Sequence, residues 1–284
     1  MPTSDSKRLI AQALKNKKRP VKWPHQMQPR AIERSYQRDL HQIISFMKEA
    51  VNKTLVQNLE KIMIRANAQR PENARQDDAG DAASMAKGLI DQAKNMVAQE
   101  YTDAEIARIA KKKGVSVAEF NKEQMQRNLK RVTGVDIIMT EPYLAGELEL
   151  FTIGNVNLIK SIPQKTFNEI ENIVFSGITT GERWENLADD IEERFDVSES
   201  RANLIARDQV SKLNGQLTQM RQTELGVSKY IWRTSLDERV RDSHRAKEGQ
   251  EYDWSNPPAD TGHPGQDFQC RCTPEPVLDE LIES

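Results

Sequence analysis

The chain has 284 residues, with 41 Lys/Arg against 43 Asp/Glu, a net charge of −2, 30% charged residues and 6% aromatic ones. No apolar run approaches the ~20 residues that span a bilayer, and no apolar leader core precedes the first charges, so neither membrane insertion nor a cleaved leader is expected. Two cysteines cannot build a disulfide framework, which points to a reducing, cytosolic origin.

Charge is laid out unevenly. Residues 1–40 hold ten Lys/Arg against three acids, and residues 163–200 hold ten acids against three bases. Residues 1–30 are expected to form a basic flexible arm. Its candidate contacts are Lys15, Lys17, Lys18 and Arg19, which would meet nucleic acid or an acidic protein surface through counterion release. A solvated tail is the plain alternative.

Residues 31–163 read as a long-helix body. From Leu40, apolar residues recur at Ile44, Met47, Val51, Leu55, Leu59 and Ile62. Steps of three and four put one stripe on a helix of about six turns, as a bundle core or a coiled-coil seam. Residues 66–80 are polar and predict a loop or linker. Helix resumes near Ala82 and runs to Glu100. Thr102 and Glu105 form a capping-box pattern that starts the next helix. Gly114, after Lys111–Lys113, is expected to end it. Ser116 and Glu119 repeat the capping signal, and Gly134 closes that segment. Residues 141–162 predict a helix ending at Pro163.

Residues 164–284 read as a third region. A short helix over 164–176 leads to a turn holding Gly177 and Gly181. Residues 183–195 are amphipathic, and Ser198 opens a helix that Gly226 stops. The texture then changes. Residues 229–234 are β-prone, with Tyr230 and Trp232 on one face. Residues 255–266 are turn-rich. Residues 268–272 predict a second strand, with Cys270 and Cys272 on one face and Arg271 on the other. The expected fold is mainly α: an elongated helical body with a small α+β C-terminal cap.

Both cysteines and two of the four histidines fall in this last stretch. Three readings of its residues stand open. A metal site could use His244, Cys270 and Cys272 with His263 or Asp237, a mixed nitrogen and sulfur set suited to zinc. A catalytic site could combine an acid, a histidine and a thiol, as a hydrolase or metal-dependent nuclease acting through His244 and Cys270/Cys272. A charge-locked fold would use Asp237 with Arg239, Arg241 and Arg271 to fix the turn after the strand, and needs no ligand. Two buried thiols with hydrogen-bonded histidines, or a strained disulfide, complete the alternatives. No Gly-x-Ser-x-Gly, His-Glu-x-x-His or P-loop pattern occurs, so no enzymatic activity is expected.

The run from Trp232 through Asp237, Arg239, Arg241 and His244 to Gly249, followed by Pro264-Gly265 and Cys270-Arg271-Cys272, resembles the signature of the phage Mu F-like minor head protein family. Gly177–Gly181, Arg201–Arg207, Asn214 and Gly226 extend the resemblance, which covers about residues 165–277. Many relatives carry two cysteines where this chain has Arg241 and His244, so a zinc here would need histidine. The resemblance implies a minor capsid, head-morphogenesis protein of a tailed phage or prophage. It implies a structural role at the portal inside the head, with assistance to assembly, DNA packaging or ejection. Implied partners are the portal, capsid or scaffold proteins, and packaged DNA through the basic arm, with no membrane. The implied location is the virion, and the bacterial host cytoplasm during assembly. Since the motif lies close to Ser284, no C-terminal effector is expected.

Overall fold

The structure, a computed structural model, describes residues 4–16, 22–67, 77–136 and 141–278. It is mainly helical. The elements run α1 (Ser4–Lys15), α2 (Arg30–Thr54), a 3-10 turn (Val56–Asn58), α3 (Leu59–Asn67), α4 (Asp77–Glu100), α5 (Asp103–Thr133), α6 (Leu144–Thr180) and α7 (Trp184–Glu224). Then come β1 (Lys229–Arg233), the short α8 (Asp242–Arg245), β2 (Glu251–Asp253) and β3 (Thr273–Pro276). The three strands form one antiparallel sheet in the order β2-β1-β3. No described helix is long and apolar enough to cross a membrane.

The chain divides into two compact units. One comprises residues 1–34, 111–152 and 206–284, the other residues 35–110 and 153–205. The segments read from sequence as 31–163 and 164–284 each contribute to both units. In the second unit, the apolar stripe of α2 and α3 is core: Leu40, Ile44, Met47, Val51, Leu55, Leu59 and Ile62 are all buried. The single long helix expected there is interrupted by the 3-10 turn, where Asn58 N–H reaches back only to Leu55 O. Tyr36 hydroxyl donates to Asn155 Oδ1 at 2.8 Å within this core.

Local boundary signals were overridden at three places. α6 runs for 37 residues through Pro163, so no helix ends there. Proline deletes one backbone donor and crowds the preceding turn. The buried side chains Ile159, Ile162, Phe167 and Ile170 on both sides anchor the helix across that defect. α5 continues past Gly114 to Thr133. Gly114 is there for contact: a Cβ would lie 3.0 Å from a Phe151 ring carbon and 3.2 Å from a Leu148 methyl. α7 runs unbroken for 41 residues through Ser198. That hydroxyl caps nothing; it bonds back to Arg194 O at 2.8 Å and meets Thr166 Oγ1 at 2.6 Å.

The terminators that require a left-handed residue are where expected. Gly134 (φ +78) and Gly226 (φ +91) end α5 and α7, and Val227 N–H closes back to Gln222 O. The N-cap half of the capping box forms, with Thr102 Oγ1 accepting from Glu105 N–H at 3.3 Å, while the Glu105 carboxylate accepts from Arg108 instead.

The N-terminal arm is corrected over its described part. Residues 4–15 are helical, and Ile10 and Leu14, one turn apart, are buried with Trp23, Met125, Leu129, Val132, Leu225, Val227 and Leu278. The basic composition concealed an amphipathic face. Lys15 is exposed in the last turn. Lys17, Lys18 and Arg19 lie outside the described residues, as do 68–76 of the polar stretch read as a linker.

α7 is fastened to the C-terminal loops by a glycine contact. A Cβ on Gly215 would sit 2.6 Å from Pro264 O and 3.2 Å from Gly265 Cα. Gly215→Ala should therefore destabilise by ~1–3 kcal/mol, although Gly→Ala inside a helix ordinarily stabilises. Gly88 in α4 is exposed with nothing within 4 Å of an added Cβ. Gly88→Ala should stabilise by up to ~1 kcal/mol. Urea titrations of the two variants should move in opposite directions; a Gly215→Ala midpoint at or above wild type would disprove the close approach.

Candidate functional site: a cysteine–histidine knot under an arginine-lined cavity

β1 is the central strand, and its alternation sets the site. Tyr230 and Trp232 point to one face and are both fully buried. Trp232 pairs across to Pro274 of β3, and its backbone exchanges bonds with the turn after α8: Gly249 N–H donates to Trp232 O at 2.9 Å and Trp232 N–H to Gln250 O at 2.8 Å. Glu248 clamps the strand end, accepting from Thr234 N–H at 2.6 Å and from its hydroxyl at 2.7 Å. α8 therefore lies over the sheet, with His244 directed into the core against the Trp232 ring, centroids 5.6 Å apart and planes at 89°.

The second strand expected at 268–272 is displaced. Residues 266–272 are loop, Gln269 takes a positive φ of 54°, and β3 begins only at Thr273. The loop is pinned by α7: Asp208 Oδ1 accepts Gln269 N–H at 2.8 Å, and Arg207 donates to Gln269 Oε1 at 3.3 Å. Cys270 and Cys272 still end on one side, both buried, by loop geometry instead of strand pleat. Both cysteines are free thiols, so the disulfide alternative is not realised.

The two sulfurs flank one imidazole nitrogen. His244 Nδ1 lies 3.4 Å from Cys272 Sγ and 3.5 Å from Cys270 Sγ. Its other nitrogen, Nε2, is 2.9 Å from Asp267 Oδ2. Gly265 N–H donates to Cys270 Sγ at 3.3 Å. The indole N–H of Trp232 is buried near the Cys272 thiol and makes no hydrogen bond. Arg241 holds Asp267 from outside and also bonds Phe268 O.

This packing polarises the thiols. A hydrogen bond from Cys272, with others from His244 and Gly265 N–H, outweighs burial and brings Cys270 down to about 5. Cys272 is driven up by its neighbour Cys270 and by burial. The His244 pKa is raised, first by Cys270 and then by Asp267, against the opposing effect of burial.

The expected charge lock exists in part. Arg271 Nη2 reaches both oxygens of Asp237, at 2.9 and 2.8 Å. Arg239 contributes only its backbone N–H to Asp237, at 3.1 Å. Arg241 turns to Asp267 instead. Two expected metal partners drop out. His263 Nδ1 faces the Tyr230 hydroxyl at 3.0 Å and its ring packs edge-on against Trp254, away from the cysteines. Asp237 is occupied by Arg271. Among the described residues, His244, Cys270 and Cys272 are the group whose donor atoms lie together, all within 4.8 Å of one another.

A cavity of about 230 Å³ opens beside them, lined by Arg207, Ser235, Arg239, Arg241 and Arg271 together with the three donor residues. Sequence reasoning missed Asp267 and Asp208, and placed Arg207 only within the Arg201–Arg207 resemblance, without a role. Asp267 had a faint signal, an acid three residues before the first cysteine. Asp208 had none, because more than sixty positions separate it from the loop it holds.

Residues 168–275 match the family described as Phage Mu protein F like protein. An uncharacterized protein of Haemophilus influenzae (strain ATCC 51907 / DSM 11121 / KW20 / Rd) is 45% identical over 162 residues, covering 56% of this chain. The chain spans 36% of the length of that curated relative. No solved structure matches. The matched span contains the whole knot, from Trp232 and His244 to Cys270-Arg271-Cys272, and over that span this chain is similar to the Phage Mu F-like family.

Proposed function

We propose that this chain is a minor head protein of a tailed phage or prophage, docking at the portal inside the head and assisting assembly, DNA packaging or ejection. The observation that carries the reading is the family match over 168–275, with Trp232, Cys270 and Cys272 of the motif in one buried cluster and His244 packed against them. The motif then acts as a fold lock for a small sheet domain, which suits a component built into a particle. Capsid or scaffold proteins are further partners. The protein passes through the bacterial host cytoplasm during assembly and resides in the virion. The basic stretch at Lys15, Lys17, Lys18 and Arg19 meets packaged DNA or an acidic portal surface.

The test is a pull-down of the tagged chain with the portal of the same phage, across a salt series. Wild type should be retained. A variant with those four residues changed to alanine should lose the salt-sensitive part of the binding. No retention at any salt concentration would refute portal docking.

A second reading is favoured by one observation. Cys270, His244 and Asp267 stand in the order thiol, base, orienting acid of a nucleophilic triad. This would be the hydrolase or metal-dependent nuclease that uses His244 and the cysteines. Against it, Cys270 is only 3% exposed, and no Asp or Glu lines the cavity to serve as a further acid or base. We therefore read the protein as non-enzymatic. Cleavage of DNA or ester substrates by wild type, abolished in a folded His244→Ala variant, would reverse that choice.

A further inference from the structure

We propose that His244, Cys270 and Cys272 are the protein ligands of a zinc ion, bound through Nδ1 and the two Sγ atoms, with the fourth position open to the arginine-lined cavity. The spacings suit it. The imidazole nitrogen stands 3.4 and 3.5 Å from the two sulfurs. A tetrahedral zinc with ordinary Zn–S and Zn–N bonds has S···N edges of ~3.6 Å. The ion fits among these atoms with little movement of the side chains.

The surrounding contacts are those that a metal-bound set needs. Asp267 accepts from Nε2, which fixes the ring and leaves the Nδ1 lone pair directed at the sulfurs. Arg241 in turn fixes Asp267. Gly265 N–H donates to the Cys270 sulfur, where it stabilises thiolate charge. Two thiolates side by side in a buried place repel; a divalent cation between them makes the set neutral. The donor set, two soft sulfurs and one imidazole, selects zinc over hard cations such as magnesium or calcium.

Three ligands leave one position. The cavity beside the donors is lined by arginines, so water or a small anion is the ligand chemistry it admits. His263 is excluded from the set, since its Nδ1 is engaged with Tyr230.

Metal content of the full chain, purified from zinc-supplemented cells without chelator, should be roughly one zinc per chain. Replacement by cobalt(II) should give thiolate-to-cobalt charge-transfer absorption and the visible bands of a tetrahedral site. Cys270→Ser, Cys272→Ser and His244→Ala should each lose most of the metal, whereas His263→Gln should keep it. Cobalt added to chelator-treated wild type reads the site without relying on a variant that folds poorly. Wild type carrying almost no zinc and giving no charge-transfer band would overturn the proposal. So would a folded His263→Gln protein that has lost its metal. The measurement needs no portal, so its outcome is separate from that of the head-assembly reading.

Discussion

Arg221→Met is expected to lower stability by ~3–5 kcal/mol, among the largest effects of any single substitution in this chain. The Arg221 side chain is fully buried, and Nε lies 2.5 Å from Glu141 Oε1, whose side chain is 3% exposed. The guanidinium also donates to Asn121 Oδ1 at 2.5 Å and Ala118 O at 3.2 Å. Asn121 in turn bonds Asn214 O and Thr218 Oγ1. One arginine on α7 thereby ties together α5, the segment before α6, and α7 itself.

Removing it strands a buried carboxylate and two buried acceptors. Lys122, 3.4 Å from Glu141 Oε2, offers partial relief, which places the loss toward the lower end of the range. The double variant Arg221→Met/Glu141→Leu should recover much of the loss, because the cost lies mainly in the unpaired charge. Urea melts of wild type, both single variants and the double variant give the coupling directly. A loss below ~1 kcal/mol for Arg221→Met would mean that Glu141 finds water, and the buried-pair account would fail.

Trp232→Ala should cost ~3–5 kcal/mol and should also expose the knot. Trp232 is fully buried, packs edge-on against His244 and Tyr252, and buries its N–H near Cys272 without a hydrogen-bond partner. Its loss leaves a cavity between the sheet and α8. The thiols of Cys270 and Cys272, buried in wild type, should then react with a maleimide or disulfide reagent many times faster under native conditions. Trp232→Phe separates the two roles. It keeps most of the ring volume but removes the N–H, so it should cost far less stability while still altering the environment of Cys272. Equal thiol reaction rates in wild type and Trp232→Ala would show that the ring does not shield the knot.

Local chemistry was legible along much of the chain. The helix periodicity from Leu40 to Ile62, the cap at Thr102 and the left-handed stops at Gly134 and Gly226 depend on neighbours a few residues away, so the sequence shows them. Strand β1 was legible for the same reason: residues 229–234 are β-prone, and Tyr230 and Trp232 stand two positions apart. The motif from Trp232 to Cys272 was legible as a pattern and identified the region that the family match covers. The stop signals at Gly114 and Pro163 and the start signal at Ser198 misled. Each is a weak local penalty, of a few kcal/mol at most, against helices anchored by many buried side chains on both sides.

The sequence by itself determined the fold class, the family region and the residue types that could meet at one site. Only the tertiary structure decided which of them do. It brought His244 to Cys270 and Cys272 across more than twenty positions, sent His263 to Tyr230, and recruited Asp267 and the Asp208 of α7 to hold the loop. It also turned a basic N-terminal stretch into a helix with Ile10 and Leu14 in the core. These are contacts between segments far apart in the chain. Their partners are selected by burial, shape and hydrogen-bond geometry once the segments pack, and none of those quantities is carried by spacing along the sequence.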